Sequence, residues 1–173
     1  LAIKNLLDKG LIKYWGLSNE NAYGVAMFCV AADKLGVPRP VSIQNDFSLN
    51  NRVYESDVLE AAEEFGLVGL PYGTLAGGTL TGKYLKGGEK FVGDRPLEKS
   101  RHISQPGFQG RYSNYLSSLA ASEYVALAEE YGLTPLQLAL AWARDRSYNA
   151  AIIIGTTTTK QVQDCVDAFK LDP

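Results

Sequence analysis

Histidine is almost missing from this chain: His102 is the only one, beside just two cysteines, Cys29 and Cys165, with no C-x-x-C or H-E-x-x-H spacing. A protein-built zinc site needs three or four converging ligands of these types, so metal catalysis is not expected. The cysteines lie far apart in sequence, which argues against a disulfide framework and for a reduced, intracellular, cytoplasmic setting, with an organelle left open. Basic blocks are also missing, and a formal charge of -2 speaks against a nucleic-acid partner. No apolar run approaches the length of a membrane span, and no charged-then-apolar leader precedes a cleavage site, so a soluble chain is expected.

What is present is enough for one core. At 173 residues and 46% apolar, the chain suits one globular domain and not two comfortable ones. It opens without Met, in what reads as a helix end: Leu1, Ile3, Leu6 and Leu7 share a face and Gly10 is a natural stop, so a piece of a longer protein is expected. Strands are predicted over Ile12–Leu17, Val41–Ile43, Leu67–Tyr72 and Ala150–Ile154. Helices are predicted with Val25, Phe28, Cys29, Ala32 and Leu35 on one face, closed by Gly36; from a Ser56 cap through Val58, Leu59, Ala62 and Phe65 to Gly66; from Ser122 to Tyr131; from a Thr134-Pro135-Leu136-Gln137 capping box; and over Gln161–Phe169. The polar stretch from about Leu85 to Ser118 is long enough to predict an active-site loop or lid.

Strand and helix thus alternate in four units, each strand nearly apolar throughout, the pattern of an α/β fold with a parallel sheet covered by helices. A doubly wound sheet wants its phosphate glycines after the first strand; here polar residues follow every strand, as in an eight-fold β/α barrel. Such a barrel takes roughly 250 residues, so four units make half of one. Half a barrel leaves two open sheet edges, for which a complementary half-barrel or a partner protein is expected.

The third strand carries the strongest clue, because Leu67–Tyr72 runs straight into Gly-Thr-Leu-Ala-Gly-Gly-Thr-Leu-Thr-Gly-Lys83-Tyr84. An aromatic ring at a strand end, then glycines and a lysine, suits a cofactor's flat end and its phosphates. Gly77 to Lys83 also matches the G-x-x-x-x-G-K loop of nucleoside triphosphatases, but Tyr84 stands where that motif needs a magnesium-binding hydroxyl. A surface turn that binds nothing is the competing reading. Elsewhere the strand ends supply Ser18-Asn19, Gln44 and a threonine-rich turn after Gly155. Amides both donate and accept, so Asn19 and Gln44 could hold a carboxamide while Tyr72 stacks on a ring, which describes a nicotinamide holder. Turn-making and local backbone bonding is the alternative for each amide alone.

Four ordered motifs, G-L-I-K-Y-W-G-L-S-N, S-I-Q-N-D-F-S-L, Y-G-T-L-A-G-G-T-L-T-G-K-Y and I-I-I-G-T-T-T-T-K-Q-V, span nearly the whole chain. Together they resemble the C-terminal half of an aldo-keto reductase, in the branch of the potassium-channel β subunits and bacterial Tas-like oxidoreductases. The resemblance implies residues 1–173 as a single partial domain, the C-terminal half of a (β/α)8 TIM barrel. It implies that Ser18, Asn19 and Gln44 grip the nicotinamide carboxamide and Tyr72 stacks on the ring. Gly73, Thr74, Leu75, Ala76 and Gly77 would line the pyrophosphate with Lys83 behind. Arg101 would fold over the cofactor, with Arg95 as a rival. Gly155, Thr157 and Gln161 would border the ribose and its 2′-phosphate, and Asp164 the adenine end.

Three positions depart from the family's pattern. Its Ser-Pro pair stands here as Gly73-Thr74, its Glu-Asn as Asp164-Cys165, and a frequent arginine as Gln161, a neutral amide that discriminates a phosphate less than a guanidinium does. NADP is therefore implied by the resemblance and by Lys83, Arg101 and Lys160, with NAD open. The family's catalytic tyrosine and its lysine, aspartate and histidine partners lie on strands this chain lacks, so the chain alone is expected to be inactive. The implied function is the cofactor-binding half of an NADP(H)-dependent reductase of aldehydes or ketones. A non-catalytic or redox-sensing scaffold subunit is the alternative, and a phosphate-binding barrel half of another enzyme a third reading.

Overall fold

The computed structural model describes residues 1–85, 91–92, 95–96, 101–105 and 107–172, the backbone alone at 91–92, 95–96 and 101–102. Short helix α1, Ala2–Asp8, leads to strand β1, Gly16–Ser18, and helix α2, Ala22–Leu35. Asn21 caps α2 by accepting from the Gly24 amide, and Gly36, left-handed at φ 61, ends it. Strand β2, Ser42–Gln44, is followed by a π-helical turn, Tyr54–Val58, that continues into α3, Leu59–Phe65, and then β3, Val68–Gly69. A 3-10 helix, Ala76–Thr81, a two-stranded antiparallel pair, β4 (Phe91–Val92) with β5 (Arg95–Pro96), and α4, Arg101–Ser104, come next. A second 3-10 turn, Gly110–Tyr112, precedes the closing helices α5, Tyr115–Glu130, α6, Pro135–Arg144, and α7, Thr159–Phe169.

Strands β1, β2 and β3 form one parallel sheet in sequential order, pairing Leu17 with Ile43 and Ile43 with Gly69. Sequential order has no switch point of the doubly wound kind among the described strands. Because side chains alternate, Leu17 and Ile43 share one face and Ser18 and Gln44 the other. The first face packs on α2 and α3 through Val25, Cys29, Val58, Ala62 and Leu67. The second is open, leaving Val68 44% exposed. A second cluster, Ala76, Leu80, Tyr112, Ala121 and Ala139, sits beneath the glycine-rich turn, and a third joins Leu140 to Cys165 and Ala168. Leu75 packs against both.

The fourth predicted strand is not a regular strand. Residues 150–153 run beside β3, where the Gly69 amide donates to Tyr148 O (2.8 Å), the Ala150 amide to Gly69 O (2.9 Å) and the Ile153 amide to Pro71 O (2.9 Å). Pro71 has no N–H for the next rung, and the bond resumes one residue out of step, so only the Gly69–Asn149 bridge is regular. Two predicted caps are also corrected. Ser56 lies inside the π-helical turn and donates to Val53 O (3.2 Å); Ser122 lies inside α5 and donates to Leu119 O (2.6 Å), the helix starting instead at Asn114, which accepts from the Ser117 amide. A serine that bonds back to its own helix needs no cap, and sequence does not separate the two uses. The predicted capping box is present: Thr134 Oγ1 accepts from the Gln137 amide while Gln137 Oε1 accepts from the Thr134 amide. The predicted loop at 85–118 contains α4, the Gly110–Tyr112 turn and the start of α5, and lies partly outside the described residues. No described helix is long and apolar enough to cross a membrane.

Candidate functional site

Three strand ends meet in one hydrogen-bonded chain. The Tyr72 hydroxyl donates to Asn19 Oδ1 (2.8 Å), Asn19 Nδ2 donates to Ser18 Oγ (3.1 Å), and the Ser18 hydroxyl donates to Gln44 O (3.0 Å). These four residues come from the ends of β1, β2 and β3, 53 residues apart between Asn19 and Tyr72. Parallel strands in register bring about the meeting, since all such strands end at the same edge. Asn19 is held left-handed at φ 56, a conformation that costs a non-glycine residue about 1–2 kcal/mol and that Asn tolerates best. Its amide donates to both Gln44 O (3.0 Å) and Asn45 Oδ1 (2.8 Å), and Asn45 Nδ2 donates to Glu20 O (2.9 Å). Asn45 therefore clasps the turn that presents Asn19. No motif singled out Asn45, although it follows Gln44 directly.

Beyond Tyr72 the chain coils tightly. Gly73, Ala76, Gly77 and Gly78 have φ of 69, 50, 65 and 97°, and the Ala76, Gly78 and Leu80 amides donate within the turn. Burial alternates: Gly73, Leu75 and Gly77 reach the surface, whereas Thr74 and Ala76 are packed inside at 3% and 0% exposure. Thr74 is thus almost wholly packed beside Ala76, which anchors the turn in the cluster below it. Lys83 folds back over Gly78, where a methyl group would sit 2.5 Å from its Cε and Nζ, and its ammonium lies 5.0 Å from the Tyr84 ring centre.

Asp46, next to Asn45, faces the same turn. Its half-hidden carboxylate, 10% exposed, accepts from Arg111 Nε, from the Tyr112 hydroxyl (2.7 Å) and from Asn51 Nδ2 (3.2 Å). Burial and the Asp46 carboxylate push the Tyr112 hydroxyl above its ordinary pKa. Arg111 and Tyr112 stand 65 and 66 residues from Asp46, so no local pattern could have linked them.

The threonine-rich turn leaves the sheet alongside Tyr72, since Ile153 bonds to Pro71. Gln161 Oε1 accepts from the Thr157 amide (2.7 Å) and hydroxyl (3.1 Å), and Thr158 caps α7 by accepting from the Gln161 amide (3.2 Å). Gly155 is exposed. Lys160 pairs with both oxygens of Asp164 (2.9 and 2.7 Å), so these two predicted ligand groups meet each other. Both are well exposed, and such pairs are worth only about 0–1 kcal/mol, little enough for a ligand to exchange them. Of Arg101 and the rival Arg95 the backbone is described, in α4 and β5; their side chains, and that of His102, lie outside the described residues.

A family model described as Aldo/keto reductase family matches residues 1–173. The chain is 39% identical over 163 residues to Protein tas of Escherichia coli (strain K12), covering 94% of this chain and 45% of that protein. It is 34% identical over 167 residues to an aldo-keto reductase of Babesia bovis, covering 94% of this chain and 56% of that one. It is 28% identical over 173 residues to a probable voltage-gated potassium channel subunit beta of Arabidopsis thaliana, covering 99% and 51%. The chain spans about half the length of these relatives.

Proposed function

The chain belongs to the aldo/keto reductase family, whose fold is a (β/α)8 barrel, and we propose that it is the cofactor-binding, C-terminal half of an NADP(H)-dependent reductase of aldehydes or ketones. The observation that carries this reading is the Tyr72–Asn19–Ser18–Gln44 chain at the sheet's C-terminal edge, beside a glycine turn with an ammonium over it. The open sheet face bearing Ser18, Gln44 and Val68 supports a barrel completed by a further half.

The residues fit a nicotinamide dinucleotide. Asn19 and Gln44 provide amides, Tyr72 a half-buried ring, and the turn from Gly73 a close backbone approach with Lys83 as counter-charge. When bound, the cofactor supplies a hydride for a carbonyl carbon. The chain's own part is to bind and orient it: Asn45 holds the Asn19 turn, and Gln161 organises the turn from Gly155. Without the family's catalytic tyrosine set the proton must come from residues outside this chain. NADP is favoured over NAD by the family and by Lys160, which pairs with Asp164 near the 2′-phosphate end; Lys83, at the pyrophosphate turn, serves either nucleotide.

Likeness to a relative named as a channel β subunit favours a second reading, a nucleotide-binding subunit of a larger assembly. Titration of the full-length protein with NADPH and NADH, followed by cofactor fluorescence, tests the first; tighter binding of NADPH and turnover of an aldehyde are expected. Binding without turnover of any carbonyl would favour the second reading, and no binding of either nucleotide would refute both.

A further inference from the structure

We propose that Asp46 is a positioning residue whose carboxylate sets the glycine-rich turn and the Gly110–Tyr112 helix in one geometry and so tunes dinucleotide affinity. The ligand rests on the reading above; the geometry rests on contacts of this chain alone. Asp46 is bridged to Tyr72 through the backbone, with the Phe47 amide donating to Tyr72 O (3.0 Å) and the Tyr72 amide to Asn45 O (3.1 Å). A Cβ on Gly73 would sit 2.4 Å from Asp46 Oδ1, so a side chain there would push the carboxylate aside, and φ 69 favours glycine as well. The same oxygen accepts from Tyr112, which is 2% exposed in the cluster with Ala76 and Leu80 directly beneath the turn. The other oxygen holds Arg111 and Asn51.

One carboxylate thus joins three segments that lie far apart in sequence: the end of β2, the turn after Tyr72, and the chain returning to α5. An apolar contact could supply comparable stability at such a site, since buried ion pairs seldom outperform packing. What a carboxylate adds is direction. It demands its donors at fixed angles, and the turn is the part whose angles a phosphate would read. Asp46 itself makes no proposed contact with the cofactor; it acts through Gly73 and Tyr72.

The test uses the full-length protein with Asp46→Asn, Arg111→Lys, Tyr112→Phe and the double variant Asp46→Asn/Arg111→Met. NADPH titration is paired with hydrogen exchange of the ligand-free protein. Asp46→Asn is expected to raise the NADPH Kd about ten-fold and to speed exchange of the Ala76, Gly78 and Leu80 amides, with α2 unchanged. Arg111→Lys, which keeps a donor of the same charge for the Asp46 carboxylate, should retain most of the wild-type affinity. The double variant should bind no worse than Asp46→Asn, because both changes cut the same link. Tyr112→Phe is the milder probe should Asp46→Asn fold poorly, with a rise of about three-fold. Wild-type exchange at the turn amides in Asp46→Asn and Tyr112→Phe overturns the proposal whether or not NADPH binds. Faster exchange with unchanged Kd overturns it too. A wild type that binds no NADPH instead refutes the cofactor reading, and with it the role given to Asp46.

Discussion

Gly78→Ala puts the glycine turn to a test in which stability and binding respond for different reasons. Alanine at φ 97, ψ 0 must adopt a conformation that L side chains avoid, at about 1–2 kcal/mol. Its methyl group would also meet Lys83 Cε and Nζ at 2.5 Å. Lys83 is a flexible side chain and can swing away, so this second clash adds little to the stability cost but moves the ammonium off the turn. A partly exposed ammonium beside a phosphate is worth about 1 kcal/mol, roughly a five-fold change in Kd. Thermal melts of the full-length protein should therefore show Gly78→Ala destabilised by about 1–2 kcal/mol and Lys83→Met close to wild type. NADPH titrations should show both weakened by about five-fold at 0.1 M salt, with the difference shrinking toward 1 M as the Debye length falls from about 10 to 3 Å. In the double variant the stability costs add, while the salt-sensitive affinity loss does not, since the ammonium can be displaced only once. Equal affinity losses at low and high salt would refute the electrostatic role of Lys83. A Lys83→Met variant that binds as wild type would refute its placement at the site.

Other outcomes follow from the same geometry. Tyr72→Phe keeps the ring and loses only the bond to Asn19, so it should bind the cofactor within about two-fold of wild type, whereas Tyr72→Ala should lose about 1 kcal/mol; titration by cofactor fluorescence checks both, and equal effects would contradict ring stacking. Acid stability should depend on Glu55. Burial works against its charge, yet hydrogen bonds from Arg52 and Tyr148 hold its pKa below the ordinary value. The stabilisation is thus present above the unfolded-state value of about 4.3 and lost as pH falls through the lower folded value. Glu55→Gln should flatten the fall in stability below pH about 4.3, measured by denaturant melts across pH; an unchanged slope would show that the group does not matter there.

The legible part of this protein was local. Gly36 and Gly66 as helix stops and the Thr134 capping box each depend on neighbours within a few residues, and each is present, whereas the predicted strands are shorter than expected and the fourth is not regular. The meeting of Asn19, Gln44 and Tyr72 was also legible, because residues ending successive parallel strands must share an edge. Illegible were choices made by distant partners. Ser56 and Ser122 read as caps because their hydroxyls could serve either end of a turn, and tertiary packing extended both helices past them.

By itself, then, the order of residues determined the α/β alternation, the family and the identity of the strand-end groups, since these are set by periodicity and by motifs in series. Only the tertiary structure decided that Thr74 is packed away, that Lys83 lies over Gly78, and that Asp46 gathers Arg111 and Tyr112 from 65 and 66 residues away. The physical reason is that these partners are chosen by packing across the fold, which brings together groups that no local periodicity relates.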